Sequence, residues 1–396
     1  MAKTIWIDGY EANVPQRLGS GQVGFELLKN LEQLDKVNDY TIFVPSAPLL
    51  DLPIARDKWR YRILKPKRLW TRIALPFALF TAKKKPDVFL SPTHYIPRFA
   101  PKGVKRIVMV FDLAYLHFKD MFKAKDLYQL TNWTKQSLEN ADHVITISKS
   151  SKKDVIKNYD VKDANVTVSY PGHSESYVPI IDIHAIEMVK QKYGIVGDYV
   201  LFIGTVQPRK NLKRLIEAFG RIVRAPHPNP LPQERGHIDD STKNNGLKLV
   251  VVGKIRGVGR QAWMFEEIVE LPKKLGIEDS VIFTDFVPDD EIVPLTNGAT
   301  AFLLPSLWEG FGIPAADAMA CGVPCVVSNI SSLPEVVGDA GLLVDPESVD
   351  QIEQAIRLIT TDKKLHAKLS MLSLEQAKKF SWEKMAKEVL EVMEKV

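Results

Sequence analysis

Two carboxylates eight positions apart, Glu309 and Asp317, mark the segment Ser306–Leu307–Trp308–Glu309–Gly310–Phe311–Gly312–Ile313–Pro314–Ala315–Ala316–Asp317. An apolar run, Ala301–Pro305, precedes it and reads as a buried strand. The segment carries a glycine-flanked aromatic, Phe311, and a proline, Pro314, suited to a first helical position. A small-residue helix, Ala315–Cys321, follows, and Gly322 closes it. A helix N-terminus presents amides and positive dipole, which suit phosphate. Carboxylates nearby would repel phosphate and instead accept hydrogen bonds from hydroxyls. A site that serves phosphate and polyol together points to a nucleotide-sugar. The alternatives are a structural loop acid for Glu309 and, for Asp317, an acid complementing the dipole of a first helical turn.

A second motif, Gly204–Thr205–Val206–Gln207–Pro208–Arg209–Lys210–Asn211, follows a strand and opens a helix. Arg209 and Lys210 there can neutralise a diphosphate and stabilise it as a leaving group; the alternative is a surface loop with ordinary basic residues. Gly19–Ser20–Gly21–Gln22–Val23–Gly24 matches G-x-G-x-x-G, but ten residues separate Gly19 from Asp8, where the strand ends. No acid follows the second strand, where Val44 gives way to Pro45 and Ser46, so a nicotinamide dinucleotide is disfavoured. Such a loop can still bring backbone amides to phosphate or sugar. Asp112 ends another apolar strand and is a cleft candidate; His94, a lone histidine after a strand, reads as structural before catalytic. No Asp-x-Asp and no His/Cys/acid group with ligand spacing occurs, so no essential metal is expected.

These residues need a frame, and the apolar periodicity supplies one. Thr4–Asp8, Tyr40–Val44, Val88–Ser91, Arg106–Phe111, His143–Ser148 and Val166–Ser169 read as short buried strands, with helices such as Gly24–Leu34 and Leu127–Asn140 between them. After Tyr170–Pro171–Gly172 the pattern restarts. Its strands are Tyr199–Gly204, Lys248–Gly253, Val281–Thr284, Ala301–Pro305 and Val323–Ser328, with helices Asn211–Arg224 and Trp263–Leu275. Two rounds of alternation predict an α/β chain of two doubly wound domains with mostly parallel sheets, ligands beyond the strand carboxyl ends, and a cleft between them. The boundaries are 1–178, 179–380 and a C-terminal amphipathic helix, 381–396, that packs back on the first domain. Residues 225–246, rich in proline, asparagine and charge, are too long for a helix-to-strand joint and read as a mobile insertion.

Composition allows this. The 396 residues are 45% hydrophobic and 26% charged, as in a globular chain. The N-terminus lacks a signal core, no apolar run is long enough to span a bilayer, and two cysteines, Cys321 and Cys325, make no disulfide framework. A cytoplasmic setting is expected. Residues 1–178 hold 28 Lys and Arg against 18 Asp and Glu, while the remainder holds 25 against 30. The basic excess is densest at Arg56, Lys58, Arg60, Arg62, Lys65, Lys67, Arg68 and Arg72. It is either a solvated helix-and-loop face or a surface for anionic lipid, at the inner membrane face, or for a phosphate-bearing acceptor. Nucleic acid is not expected, because no recognition motif accompanies the charge.

The set Gly204–Asn211, Ser306–Asp317, Ala320–Cys321–Gly322–Val323–Pro324 and Ser331–Ser332–Leu333–Pro334–Glu335–Val336–Val337–Gly338–Asp339 resembles glycosyltransferase family 4 over nearly the whole chain. Within it the Gly204–Asn211 loop is most similar to mannosyltransferase-type members. The resemblance implies a retaining enzyme of the GT-B fold: two Rossmann-like domains, acceptor on the first, donor on the second. It implies a hexosyltransferase in polysaccharide biosynthesis, with a GDP- or UDP-sugar donor, a saccharide or lipid-linked acceptor, and no cofactor; mannose is one candidate sugar. Arg209 and Lys210 would hold the donor diphosphate, Glu309 would face the donor sugar, and Gly310, Phe311 and Gly312 would offer backbone amides. Asp317 stands where the family's second glutamate binds the ribose diol, and Gly19 and Gly21 would approach the phosphate from the first domain.

Two positions depart from the family pattern. Asp317 is one methylene short, so ribose contact needs a small backbone shift or a water. Phe111–Asp112 replaces a frequent His-Asp, so a histidine near the transferred sugar would be missing. Retention in this family is usually explained by front-face departure, in which the leaving phosphate accepts the acceptor's proton; positioning and charge stabilisation then dominate. The rival readings are an inactive nucleotide-sugar-binding partner subunit, and a GT-B hydrolase, epimerase or phosphorylase.

Overall fold

The computed structural model describes residues 2–17, 19–180, 182–224, 246–253 and 262–396. Residues 225–245 of the expected insertion lie outside the described residues. The chain divides into two compact units: Met1–Gly172 with Phe380–Val396, and His173–Lys379.

The first unit runs β1 (Thr4–Asp8), α1 (Ser20–Leu34), β2 (Asp39–Val44), β3 (Trp59–Ile63), a π-helical turn (Trp70–Ala74) leading into α2 (Leu75–Thr81), β4 (Val88–Ser91), β5 (Lys105–Val110), α3 (Ala114–His117), α4 (Ala124–Asn140), β6 (His143–Thr146), α5 (Lys149–Tyr159) and β7 (Val166–Val168). Among the described residues these strands form a seven-stranded sheet of order β3-β2-β1-β4-β5-β6-β7, with every pairing parallel. β1 and β4 are buried along their whole length, as the uninterrupted apolar runs of a parallel sheet covered on both faces require. Trp6 meets Phe43 edge-on at 4.9 Å in the core.

β3 revises the reading of the basic stretch as a helix-and-loop face. Trp59–Arg60–Tyr61–Arg62–Ile63 alternates apolar and cationic residues at period two, the signature of a strand. Trp59 is fully buried against Tyr40, 4.9 Å away, and anchors this edge strand; Arg60 pairs with Asp39 on the neighbouring β2.

The second unit runs α6 (Ile183–Lys192), β8 (Tyr199–Ile203), α7 (Leu212–Arg224), β9 (Lys248–Val252), α8 (Ala262–Leu275), β10 (Val281–Asp285), α9 (Asp289–Asn297), β11 (Ala301–Leu304), α10 (Ile313–Ala320), β12 (Cys325–Ser328), α11 (Leu333–Val337), β13 (Gly341–Val344), α12 (Val349–Thr361) and α13 (Lys363–Ala377). Its described strands form a six-stranded sheet of order β10-β9-β8-β11-β12-β13, again wholly parallel. β12 starts at Cys325 rather than Val323. Pro324 has no N–H to give the ladder and contributes only its carbonyl, which accepts from Phe302 N at 3.0 Å.

The last helix, α14 (Trp382–Lys395), belongs to the first unit and lies beside α1. Ser381 caps it, accepting the Lys384 N–H at 3.0 Å. Lys3 Nζ donates to the carbonyls of Met393 and Glu394 at 3.0 and 2.8 Å, and Ser169 Oγ donates to Glu388 Oε2 at 2.8 Å. The break between the units falls after Gly172, not 178. Tyr170 meets Phe380 edge-on at 5.7 Å, and a Cβ on Gly172 would lie 2.3 Å from Trp382 N, so these residues are held by the start of α14. Beyond them, Ser174 N–H donates to Asp317 and Asn297 Nδ2 to the Val178 carbonyl, both within the second unit. No described helix is long and apolar enough to cross a membrane.

Candidate active site

In each sheet the strand order reverses once, between β1 and β4 in the first unit and between β8 and β11 in the second. Loops that leave the carboxyl ends of such a strand pair diverge and open a crevice. In the second unit those loops are the two segments singled out by sequence, 204–211 and 305–312.

Backbone geometry fixes the first loop. A Cβ on Gly253, at the end of β9, would lie 2.0 Å from the Gly204 carbonyl oxygen, so only glycine lets β8 and β9 end side by side. Asn211 sits in the left-handed region, φ 61°, where its short polar side chain is tolerated. Its Nδ2 donates to the Pro305 carbonyl at 2.9 Å and the Pro346 carbonyl at 2.6 Å. This buried amide ties the loop after β8 to the loop after β11. The sequence motif contained Asn211 but gave no hint of the role, because Pro305 and Pro346 are distant in the chain.

The loops bring three candidates together. Lys210 Nζ donates to Glu309 Oε1 at 2.6 Å, and Arg209 Nη1 reaches Glu309 Oε2 at 3.4 Å while also donating to the Trp308 carbonyl. Leu307 N–H donates to the Arg209 carbonyl at 2.8 Å, which locks the loops in register. Glu309 is 7% exposed. Burial raises its pKa, but the Lys210 and Arg209 charges and the Lys210 hydrogen bond outweigh burial and hold it below the usual carboxylate range. Glu309 is therefore an anion between two cations, and the cluster keeps a net positive charge. One carboxylate cannot use the three donors of an ammonium and the five of a guanidinium, so the cluster retains capacity for a further anion.

The glycine-flanked aromatic is held from below. Ser332 Oγ donates to the carbonyls of Glu309 and Phe311, both at 2.9 Å, and Ser331 Oγ accepts the Glu309 N–H at 3.1 Å. Gly312 has φ 109°, and a Cβ there would lie 2.7 Å from a Leu333 methyl. Phe311 is buried at 2% exposure, so its ring serves packing.

Asp317 has different partners. α10 begins at Ile313, so Asp317 lies beyond the first helical turn and the helix-dipole explanation does not apply. Its Oδ1 accepts the Ser174 N–H at 3.0 Å. Burial pushes its pKa up to about 7, against a lowering by that hydrogen bond. Tyr177 and Cys321 face the same carboxyl; burial first, then Asp317, raises both, the Cys321 thiol to about 12.

In the first unit, Asp112 accepts the Ala114 N–H at 3.0 Å as α3 begins. His94, from the loop after β4, stacks on Phe111 with centroids 5.7 Å apart and planes at 26°. Its Nε2 accepts the Phe111 N–H at 3.2 Å, which assigns the ring proton to Nδ1. Nδ1 is buried and has no hydrogen-bond partner among the described residues. Burial holds the His94 pKa below its ordinary value, while Asp112 and Glu11 pull it upward. An imidazole thus lies directly against Phe111. Sequence also missed Asp8, buried at the end of β1, which accepts from Trp70 Nε1 at 2.9 Å and Tyr10 N at 3.0 Å and whose pKa burial pushes up to about 6.

Gly19 precedes α1 at φ 52°, and a Cβ on Gly21 would lie 3.0 Å from the Glu11 carbonyl oxygen. Gly21 therefore lets α1 start close against the loop that follows β1.

Two family models cover most of the chain: "Glycosyltransferase Family 4" matches residues 19–176 and "Glycosyl transferases group 1" matches residues 187–373. The chain is 28% identical over 395 residues to the O-antigen chain mannosyltransferase B of Escherichia coli, covering 92% of this chain and 93% of that protein. It is 32% identical over 247 residues to the serotype-specific mannosyltransferase WbdA of Escherichia coli, covering 62% of this chain and 28% of that longer protein. Among solved structures, Anabaena HepE in complex with UDP-glucose superposes with a TM-score of 0.72 at 17% identity over the whole of both chains, a likeness of fold. With two doubly wound parallel sheets and these matches, the chain belongs to glycosyltransferase family 4 and is a glycosyl-transferring enzyme of the GT-B fold.

Proposed function

We propose that this enzyme transfers a hexose, with retention, from a nucleoside diphosphate sugar to a saccharide or lipid-linked acceptor in glycan biosynthesis. The observation that carries the reading is the buried Arg209–Glu309–Lys210 cluster at the reversal point of the second sheet. Lys210 and Arg209 hold the donor diphosphate and offset the charge that grows on it as the glycosidic bond breaks. Glu309 accepts hydrogen bonds from donor-sugar hydroxyls, the Gly310–Phe311–Gly312 backbone lies against sugar and phosphate, and Asp317 takes the ribose diol. The acceptor hydroxyl attacks the face from which the diphosphate leaves and passes its proton to that diphosphate, so the step needs no protein base. Two protein cations do the work that a metal does elsewhere, and no metal requirement is proposed. Gly19, Gly21 and Asp112, at the carboxyl side of the first sheet, are assigned to substrate binding in that unit.

The names of the two mannosyltransferase relatives favour mannose, with GDP-mannose as donor. The structure of HepE with UDP-glucose supports a nucleotide-sugar donor in general. The basic first half supports a phosphate-bearing acceptor and peripheral contact with anionic membrane.

The test is incubation with a panel of GDP- and UDP-sugars plus chelator, following nucleoside diphosphate release and product mass. Release from GDP-mannose with a mannosylated product is the expected result. A folded protein that binds donor and turns over none of the panel would instead be a nucleotide-sugar-binding partner subunit, and free sugar as the sole product would make it a hydrolase.

A further inference from the structure

From Lys58 to Pro86 the chain carries ten Lys or Arg residues and no acid. The π-helical turn and α2 lie in the middle of this stretch and are apolar on two sides. One side, Trp70, Ala74, Leu75, Ala78 and Leu79, is buried in the core of the first unit. The other side is bare: Leu69, Ile73, Phe77 and Phe80 are 47%, 47%, 67% and 53% exposed. Their spacing of four, four and three places them along one stripe. Exposed cations stand at both ends of it, Lys65, Lys67 and Arg68 before and Lys83 and Lys84 after, while Arg72, between Leu69 and Ile73, lays its guanidinium over the Trp133 ring at 4.1 Å. A helical segment that has already met its core normally turns a polar face to water.

We propose that this stripe inserts into an anionic bilayer surface, with Leu69, Ile73, Phe77 and Phe80 at the acyl boundary and the flanking cations against lipid phosphates. This deepens the membrane contact named above, replacing diffuse charge by a defined inserting element. The partner follows from the chemistry. Large apolar side chains ringed by one sign of charge match a surface that is apolar beneath and anionic above. Nucleic acid would use the cations and stack on Phe77 and Phe80, but it offers no apolar phase to Leu69 and Ile73 in the same stripe. A protein partner for so apolar a strip would be met by a rim of both signs, and no acid occurs here.

The experiment is co-sedimentation of the full chain with phosphatidylcholine vesicles, with and without phosphatidylglycerol, at low and high salt. The wild type is expected to need the anionic lipid and to keep part of its binding at high salt, because insertion is unscreened. Phe77→Ser with Phe80→Ser should weaken partition roughly tenfold or more at both salts, with an unchanged melting temperature, since both rings are exposed. Lys83→Gln with Lys84→Gln should weaken it at low salt only. A double serine variant that partitions like the wild type would overturn insertion while leaving salt-sensitive charge contact in place. Absence of wild-type binding, or equal binding to neutral vesicles, would remove both. A change of mass in lipid-free sedimentation caused by the serine pair would assign the stripe to a second copy of the chain, and the proposal would fall. Nucleoside diphosphate release by the same preparations reports the transferase reading independently of every vesicle result.

Discussion

Lys210 Nζ lies 2.6 Å from Glu309 Oε1, with the two side chains 12% and 8% exposed. A pair this buried is a linked unit, and removing one partner strands the other. Lys210→Ala should lower kcat/KM by roughly 10²-fold or more, the usual effect of deleting one charged stabiliser of a leaving group. It should also cost about 3 kcal/mol of stability, because Glu309 loses its shorter cationic partner and the only cation left to it among the described residues is the more distant Arg209. Lys210→Arg preserves the charge, so its stability loss should be smaller and its residual activity should report geometry alone. Steady-state kinetics beside thermal unfolding separate the two effects. An Ala variant within a few-fold of wild-type kcat/KM would end the diphosphate role.

Asp317 gives a pH test with a definite sign. Its folded pKa, about 7, is raised from the ordinary 3.8, so the folded state holds a proton that the unfolded state has released. The stabilising contribution is complete below pH 3.8 and is lost as pH rises through 7, amounting to at most about 4 kcal/mol. Asp317→Asn keeps an acceptor for the Ser174 N–H but cannot ionise. The variant should melt close to wild type at pH 4 and clearly above it at pH 8. If Asp317 binds the ribose diol, the same variant should raise donor KM with little change in kcat. Matching melting curves at both pH values would show that the carboxyl is solvated; unchanged donor affinity would leave it only the Ser174 tether.

How much of this was legible in the sequence depends on the range of the interaction. Strand–helix alternation placed the sheets because apolar runs and their punctuation are local. The Arg209–Lys210 and Ser306–Asp317 motifs were legible for the same reason: each is one loop leaving one strand. β3 was not, since five residues with two arginines look solvated until Trp59 finds Tyr40. The partners of Asp317 and Asn211 were not, since Ser174, Pro305 and Pro346 meet them only once the sheet is assembled. The place of His94 was hidden too. Sequence showed Phe111 and Asp112 together, but the imidazole against them comes from the preceding strand's loop.

Gly253 has a close contact that sequence does not announce. With φ 142° and a would-be Cβ 2.0 Å from the Gly204 carbonyl oxygen, the position excludes every side chain. Gly253→Ala must push the ends of β8 and β9 apart and drag the Arg209–Lys210 loop with them. A loss of at least about 3 kcal/mol is expected, from steric overlap and an unfavourable backbone region together. Whatever folded protein remains should show weakened donor binding by calorimetry. Gly246→Ala is the control: it also has positive φ, at 68°, but nothing lies within 4 Å of its would-be Cβ, so it should cost far less.

His94 can be tested through Phe111. Its Nε2 accepts the Phe111 N–H, and the Phe111 carbonyl accepts from Ser151 Oγ at 2.7 Å, so the backbone at the end of β5 is held on both sides. His94→Phe keeps the stacking but leaves that amide without its acceptor, and should cost about 1–3 kcal/mol. The folded pKa lies below 6.5, so neutral His94 contributes stability that is full above pH 6.5 and lost as pH falls through the folded value. His94→Gln, which can still accept from the amide, should remove that part of the acid dependence. Its unfolding free energy should fall less than the wild type's between pH 7.5 and 5. The Nδ1–H is a buried donor with no described partner, and Asp112 and Glu11 are the charges around it. If a substrate oxygen takes that proton donor, His94→Gln should lower kcat/KM at pH 7.5, where its stability matches the wild type. Equal kcat/KM there, with the acid dependence removed, would confine His94 to holding Phe111.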